Sequence, residues 1–180
     1  AELHQLPRLI ENKYIQGVFH VHSFYSDGTN SIKGIAEAAK RMGFLYIGLS
    51  DHSQSARYAG GLTLEKLRQQ WEEVKQVNEE EGDGFHIFKG TESDILPDGS
   101  LDYDGATLKQ FDFVIASVHS HFNMSLEEMT KRVIKALRNP YTTILGHPTG
   151  RLLLAREPYA IDMVRVIEEA SRSGVVIELN

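Results

Sequence analysis

The residues of this chain that are best suited to metal chemistry are its histidines. Eight histidines occur among 180 residues and cysteine is absent, so any transition metal must be held by His, Asp or Glu. His20 and His22 form a His-x-His pair at the end of an apolar segment, where an extended chain points alternate side chains to one side. Two imidazoles in this arrangement can share an ion, and neutral imidazole favours zinc, manganese or iron.

Other candidate ligands occupy equivalent places along the chain. Short apolar runs predict six strands, and six side chains fall at or just past the C-terminal ends of the first five: His20, His22, His52, Glu92, His119 and His147. In β/α folds this edge of the sheet collects binding and catalytic groups. A carboxylate such as Glu92 can bridge two ions, so the placement predicts a metal cluster at one edge of the sheet.

Two aspartates near these histidines have alternative interpretations. Asp27 lies in a Ser-Asp-Gly loop before the first predicted helix, where it is either a further ligand or the first residue of an Asp-Gly turn. Asp51 directly precedes His52, and it either supports that histidine as a ligand or caps a helix. The sequence alone leaves both choices open.

The remaining histidines are assigned less readily to the cluster. His4 lies in the N-terminal lead, and His86 begins a predicted strand, at the opposite edge of the sheet. We expect neither of them at the site. His121 forms a second His-x-His pair with His119, and its contact with metal or substrate stays open.

The elements that must position these residues alternate between strands and helices. The predicted strands are Gly17–Val21, Phe44–Leu49, Phe85–Lys89, Asp112–Val118, Tyr141–Leu145 and Gly174–Leu179. Between them, apolar residues at helical spacing predict four helices, the last ending at Gly174, and Ser31, Thr63 and Ser125 are placed to begin the first three. This order predicts a mostly parallel α/β fold, either a barrel or an open sheet. Because barrels usually need about 250 residues, a barrel of this length would be small or incomplete.

Composition excludes several classes of protein. The net charge is −6 and no basic cluster stands out, which argues against nucleic-acid binding through a basic face, although bound metal would reverse the charge locally. No apolar run reaches membrane-spanning length, and the first fifteen residues lack the shape of a signal peptide. The absence of cysteine fits a reducing compartment, so we expect a cytoplasmic protein without a membrane partner.

The motifs resemble those of the PHP (polymerase and histidinol phosphatase) superfamily over nearly the whole chain. The matching segments, in order, are His20–Ser23 with Ser26–Gly28, Ser50–His52, Lys89–Glu92, Ser117–Ser120 and Gly146–Pro148. Within the superfamily, the chain looks most like the C-terminal PHP domain of bacterial and archaeal family X DNA polymerases, on the segments Glu92–Asp102, Asn139–Tyr141 leading to Gly146–Arg151, and Arg156–Tyr159.

This resemblance implies a domain organisation and a fold. Residues 1–16 look like the lead-in from a preceding polymerase region, and residues 17–180 form the PHP domain. The family fold is a distorted seven-stranded β/α barrel, and here we expect it to be truncated after the sixth strand. The C-terminal part of the domain, with its Asp-x-His ligand motif, is then missing. An incomplete barrel would expose strand edges, so self-association is expected.

The resemblance also implies a trinuclear site. His20, His22 and Glu92 would hold one ion, Glu92, His119 and His147 a second, and Asp27 and His52 the third. We therefore expect two or three divalent ions, which are zinc or manganese, or alternatively iron.

The activity implied is metal-dependent hydrolysis of a phosphodiester, as in 3′-end trimming of DNA. His22 and Glu92 would support hydrolysis as metal ligands, and Arg151 is a candidate phosphate clamp or else an ordinary surface arginine. One alternative is a phosphomonoesterase of the histidinol-phosphatase type, which shares the metal cluster. Another is a module without activity that stabilises an attached polymerase.

Overall fold

The computed structural model describes residues 9–179 of the chain and contains one parallel sheet. Strand order in the sheet follows chain order, and each strand pairs in parallel with the next: β1 (Gly17–Val21), β2 (Tyr46–Leu49), β3 (His86–Asp94), β4 (Phe113–Ser117), β5 (Ile144–Leu145) and β6 (Val176–Ile177). The sheet curls into half of a β/α barrel, and within residues 9–179 no pairing joins β6 back to β1. The predicted incomplete barrel is confirmed.

Helices connect the strands and cover the outer face of the sheet. They are α1 (Ile32–Arg41), α2 (Leu64–Glu81), α3 (Gly105–Leu108), α4 (Leu126–Leu137) and α5 (Met163–Ser173). The predicted caps are confirmed, because Ser31, Thr63 and Ser125 each accept a hydrogen bond from the first turn of α1, α2 and α4. Ser125 also forms a complete capping box with Glu128. The short helix α3 was not predicted.

Two hydrophobic clusters pack the helices against the outer face. In one, Ile47 and Leu49 of β2 lie against Ile32 and Ala36 of α1, with all four side chains at most 1% exposed. The larger cluster joins alternate residues of β4 to α4 and α5 and contains Val114, Ala116, Met129, Val133 and Val166. Burial of these alternate positions leaves the other half of each strand facing the barrel interior.

Aromatic rings fill the interior below the C-terminal edge. The ring of Phe19 meets that of Phe113 edge to face at 4.9 Å and stacks on Phe88 at 5.9 Å. Glycines leave room for these rings, since a Cβ atom on Gly90 would lie 2.2 Å from the Phe113 ring. Phe19 stays 40% exposed because the half-barrel is open on the side of β1.

The third strand differs most from its predicted extent. It was predicted to end at Lys89, but β3 runs to Asp94, so Glu92 lies inside the strand rather than after it. The pairing of Gly90–Asp94 with Phe113–Ser117 accounts for the extension. In contrast, β5 and β6 are only two residues long.

Two expectations concern parts of the chain away from the sheet. His4 and residues 1–8 of the expected lead-in lie outside the described residues, and the division at residue 16 stays a prediction. Among the helices of residues 9–179, none combines the length and the apolar character that crossing a membrane requires. The cytoplasmic location stays a prediction.

Gly90→Ala is expected to lower the free energy of unfolding by about 1–3 kcal/mol, because the added methyl group must displace the packed ring of Phe113. Urea denaturation followed by circular dichroism measures the change. Gly84→Ala is the matched control, since a Cβ atom there meets no other atom within 4 Å. Equal stabilities of the two variants would contradict this account of the interior.

Candidate metal centre

The carboxylate of Glu92 lies at the centre of the C-terminal edge and is 1% exposed. Five imidazole nitrogens face its two oxygens. Oε1 lies 2.7 Å from His147, 3.0 Å from His20 and 3.2 Å from His119, whereas Oε2 lies 3.1 Å from His52 and 3.5 Å from His22. All five histidines that the sequence places at strand ends therefore converge on one carboxylate.

Potential ligand atoms fall into four overlapping groups, within each of which they lie less than 4.8 Å apart. The groups are His20, His22 and Glu92; His22, Asp27 and His52; Glu92, His119 and His147; and His52, Asp94 and His119. The seven ligands predicted from the sequence are thus brought together. Their binding of metal stays a prediction.

The donor set fits divalent cations better than it fits a network of hydrogen bonds. A carboxylate offers about four lone-pair positions, and here five imidazole nitrogens surround it. The buried Nδ1 atoms of His22 and His52 have no hydrogen-bond partner, although carboxylate oxygens lie 3.3 Å and 3.1 Å away. Cations between these atoms would satisfy them all, because nitrogen and carboxylate oxygen are the ligands that zinc and manganese accept.

The first histidines reach the centre through an irregular strand rather than a regular extended one. His20 has a φ of 63°, and the register between β1 and β2 shifts between Val18 and Val21. Two consecutive side chains, Phe19 and His20, consequently face the interior, and His22 follows them. His147, with a φ of 21°, also lies in the left-handed region. Such backbone strain in residues other than glycine is concentrated at functional sites.

Contacts between the carboxylates and the histidines lower the pKa of Glu92 and raise the pKa values of His20 and His119, in each case against the effect of burial. Burial opposes ionisation of Glu92, but hydrogen bonds from His119, His147 and His20 hold its pKa far below the usual range. Burial lowers the pKa of His20, yet bonds to Glu178 and Glu92 outweigh it and raise that pKa to about 9. The pKa of His119 is likewise raised to about 9, against burial, by Asp94 and Glu92.

Two carboxylates that were not predicted as site residues orient the histidines. Asp94 accepts a hydrogen bond from Nδ1 of His119 at 2.7 Å, and Glu178 bonds Nδ1 of His20 and the backbone N–H of His147. Carboxylates of this kind fix the tautomer of a metal-binding imidazole. Asp94 ends β3 and Glu178 directly follows β6, so both lie at the same edge as the histidines, but the predicted strand bounds did not place them there.

Asp51 is a buried acceptor rather than a helix cap. Its carboxylate accepts hydrogen bonds from the backbone N–H and hydroxyl of Ser23, at 2.8 and 2.6 Å, from the hydroxyl of Ser26 at 2.5 Å and from the amide of Gln70 at 2.5 Å. These bonds fix the loop after β1, which carries Asp27, against the residue preceding His52. Asp51 thus positions two potential ligands without contacting the centre itself.

The other sequence-predicted residues lie farther from the cluster. His121 is exposed and its Nδ1 lies 3.1 Å from the hydroxyl of Ser120, so it belongs to none of the four ligand groups. His86 is exposed at the start of β3, at the opposite edge from Glu92, as predicted. Arg151 is exposed and lines the cleft above the cluster, together with Tyr58, Phe122 and Arg156. This cleft has a volume of about 830 Å³.

The half-barrel has the fold of histidinol phosphate phosphatase. The enzyme from Lactococcus lactis, crystallised with zinc, L-histidinol and phosphate, superposes with a TM-score of 0.60 at 17% identity, over 92% of this chain and 73% of that one. A PHP domain model matches residues 19–180. The chain therefore belongs to the PHP domain family.

Curated relatives place the chain near two kinds of protein. It is 46% identical over 172 residues to the DNA polymerase/3′-5′ exonuclease PolX of Bacillus subtilis, covering 96% of this chain and 30% of that protein. It is 34% identical over 166 residues to a probable phosphatase of Thermoanaerobacter, covering 89% of this chain and 62% of the relative. The chain thus spans less than two thirds of the length of either relative.

Asp51→Asn is expected to lower the free energy of unfolding by about 2 kcal/mol or more, because an amide cannot accept from all four donors that face the carboxylate. Chemical denaturation of the metal-free protein measures the loss. Asp83→Asn, at an exposed position, provides the control and should change stability by less than about 0.5 kcal/mol. A neutral Asp51→Asn variant would show that this network does not support the loop.

Metal binding is expected to release protons, since His20 and His119 hold a proton up to a pH of about 9 and must lose it to become ligands. Loading with manganese at about pH 7.5 should release about two protons per chain, falling to about half of that near pH 9. Calorimetry in buffers of different ionisation enthalpy counts the protons. Release that does not change between these two pH values would contradict the assignment.

Proposed function

We propose that this chain is a metal-dependent phosphoesterase domain that hydrolyses phosphodiesters at the 3′ ends of DNA. The observation that carries the proposal is the convergence of five imidazoles on the buried carboxylate of Glu92, at the base of an open cleft. The relationship to a protein named as a DNA polymerase/3′-5′ exonuclease supports the choice of DNA. A polymerase region in the parent protein is then the natural partner of this domain.

The residues that would hold about two or three divalent ions are the seven predicted ligands, namely His20, His22, Asp27, His52, Glu92, His119 and His147. Asp94 belongs to a fourth group and adds an eighth candidate. When bound, such ions polarise phosphoryl oxygens and lower the pKa of water. The histidinol phosphate phosphatase of Lactococcus lactis, which has this fold, was crystallised with zinc, and this supports zinc here. The donor types suit manganese and iron equally.

Side chains around this centre orient the candidate ligands and can bind the substrate. Glu178 and Asp94 fix the rings of His20 and His119, so that their other nitrogens point to Glu92. Arg151, at the mouth of the cleft, can meet a phosphate oxygen with its forked donors. The low pKa of Glu92 keeps it ionised at any working pH, so it remains an anionic ligand.

Hydrolysis of phosphomonoesters is the second candidate. Relatives named as probable phosphatases and the fold of a histidinol phosphatase favour it. The two candidates share the metal centre and differ in the group that occupies the cleft. Comparison of a 3′-labelled oligonucleotide with histidinol phosphate separates them, since activity on the monoester alone would contradict the proposal for DNA.

A role without catalysis, as a module that stabilises an attached polymerase, predicts a fold that stays intact when the metal centre is removed.

Self-association through the open edges of the half-barrel also stays a prediction. Val176 in β6 and Leu179 just after it are exposed apolar residues, which supports it. Sedimentation of the purified chain tests it, and a monodisperse monomer would contradict it.

His22→Ala is expected to reduce hydrolysis of a 3′-labelled oligonucleotide by at least about 100-fold, because it removes an imidazole that belongs to two ligand groups. Initial rates with saturating manganese measure the loss, and circular dichroism confirms the fold. His86→Ala is the matched control, at the far end of the sheet, and should retain full activity. Undiminished activity of His22→Ala would contradict the metal mechanism.

A further inference from the structure

The cleft above the metal centre has a wall of side chains that no ligand group uses. Tyr58, Phe122, Leu152 and Arg156 line it together with the histidines. The volume of about 830 Å³ falls in the range of pockets that hold whole small molecules, which is far more than one phosphate group needs. This wall is therefore placed to recognise the part of a substrate beyond its phosphate.

Tyr58 is an aromatic ring held at the cleft by a fixed turn. It lies in the 3-10 turn Arg57–Ala59, which is anchored by Ala56 just before the turn and by Ala59 within it, 0% and 5% exposed. Tyr58 as a whole is 73% exposed, and its ring lies 6.1 Å from the ring of His52 and 6.4 Å from that of His119. An exposed aromatic face on an anchored turn is suited to stacking against a flat ring of a ligand.

Arg156 offers a guanidinium group whose orientation is fixed before any ligand binds. Its central carbon lies 4.0 Å above the ring of Phe122, and its Nε donates a hydrogen bond to the carbonyl of Gly150 at 2.8 Å. Phe122 in turn stacks on Tyr159 at 6.1 Å, whose hydroxyl donates to the carbonyl of Pro148.

The terminal amino groups of this guanidinium are free to bind an anionic ligand. Among residues 9–179, no carboxylate pairs with Arg156, and its terminal amino groups form no hydrogen bond. A planar cation with two free amino groups and a supported rear face is the geometry that binds phosphate oxygens. Arg151, in comparison, is exposed, and its backbone N–H donates a hydrogen bond to the hydroxyl of Thr149.

We propose that Tyr58 and Arg156 form a nucleotide subsite, in which Tyr58 stacks on a nucleobase and Arg156 binds the phosphate attached to that nucleoside. This proposal rests on the proposed function and specifies its substrate as a base-bearing 3′ end rather than a small phosphate ester. It assigns recognition of the base and of the phosphate to different side chains, so the two contributions are separable.

The test is calorimetric binding of thymidine 5′-monophosphate and of 2-deoxyribose 5-phosphate to the manganese-loaded protein. The two ligands share a phosphate and a sugar and differ in the base. The wild-type protein should bind the nucleotide about tenfold more tightly, a factor expected for one base stacked on an aromatic ring. Tyr58→Ala should remove the difference, whereas Tyr58→Phe should keep it. Arg156→Gln should weaken both ligands by a similar factor, also about tenfold.

Arg57→Gln is the control for changes near the turn, because Arg57 is exposed and does not line the cleft. It should leave both affinities unchanged. Metal content measured for every variant separates a change in the subsite from a change in the centre. Equal affinity of the wild-type protein for the two ligands, or an unchanged preference in Tyr58→Ala, would overturn the proposal.

A second experiment tests the subsite on DNA ends rather than on a free nucleotide. It also distinguishes failure of the subsite proposal from failure of the proposed function. Oligonucleotides that end in thymidine or in an abasic residue are digested by the wild-type and Tyr58→Ala proteins. A lower KM for the thymidine end, lost in Tyr58→Ala, supports the subsite on DNA. Digestion of both ends with equal KM overturns it. If neither strand is digested while the preference for thymidine 5′-monophosphate persists, the subsite is supported and the function on DNA is contradicted.

Discussion

Glu92 carries an ionised carboxylate into the interior of a parallel sheet, where it is 1% exposed. Burial of such a charge is costly unless opposite charge or hydrogen-bond donors surround it. Five imidazoles do so here, and they come from the C-terminal ends of β1, β2, β4 and β5 or from just beyond them. The same convergence that stabilises the charge creates groups of ligand atoms close enough to share cations.

The surrounding structure maintains this convergence at some expense of local regularity. His20 and His147 adopt left-handed backbone conformations, and Asp51 gathers four donors to fix the loop that carries Asp27. Within the sheet, the absence of a side chain at Gly90 leaves room for the ring of Phe113 in the interior beneath Glu92. Packing, backbone strain and buried hydrogen bonds thus all help to hold the side chains at the C-terminal edge of the sheet in place.

Much of this arrangement could be predicted from the sequence because it depends on local rules. Caps at Ser31, Thr63 and Ser125 are read from one residue and its first turn. The meeting of side chains at strand ends follows from parallel strand order alone. The full length of β3 did not follow, because Gly90–Asp94 is polar and small in sequence and becomes a strand only through its pairing with β4.

The roles of Asp94 and Glu178 were missed for a related reason. Each acts on the far nitrogen of a histidine from another strand, so its partner is defined only when the sheet has curled. The subsite of Tyr58 and Arg156 is similar, because these residues lie 98 positions apart and meet only as walls of one cleft. Contacts that depend on tertiary curvature leave little trace in periodicity or spacing.

The most direct test of the central claim is the metal content of the purified chain, measured by elemental mass spectrometry after incubation with zinc or manganese and removal of free ions. The wild-type protein should carry about two or three divalent ions per chain, and Glu92→Gln should carry less than about one. His121→Ala, outside the ligand groups, should match the wild type. A wild-type protein without metal, or a Glu92→Gln variant with undiminished metal, would contradict the account.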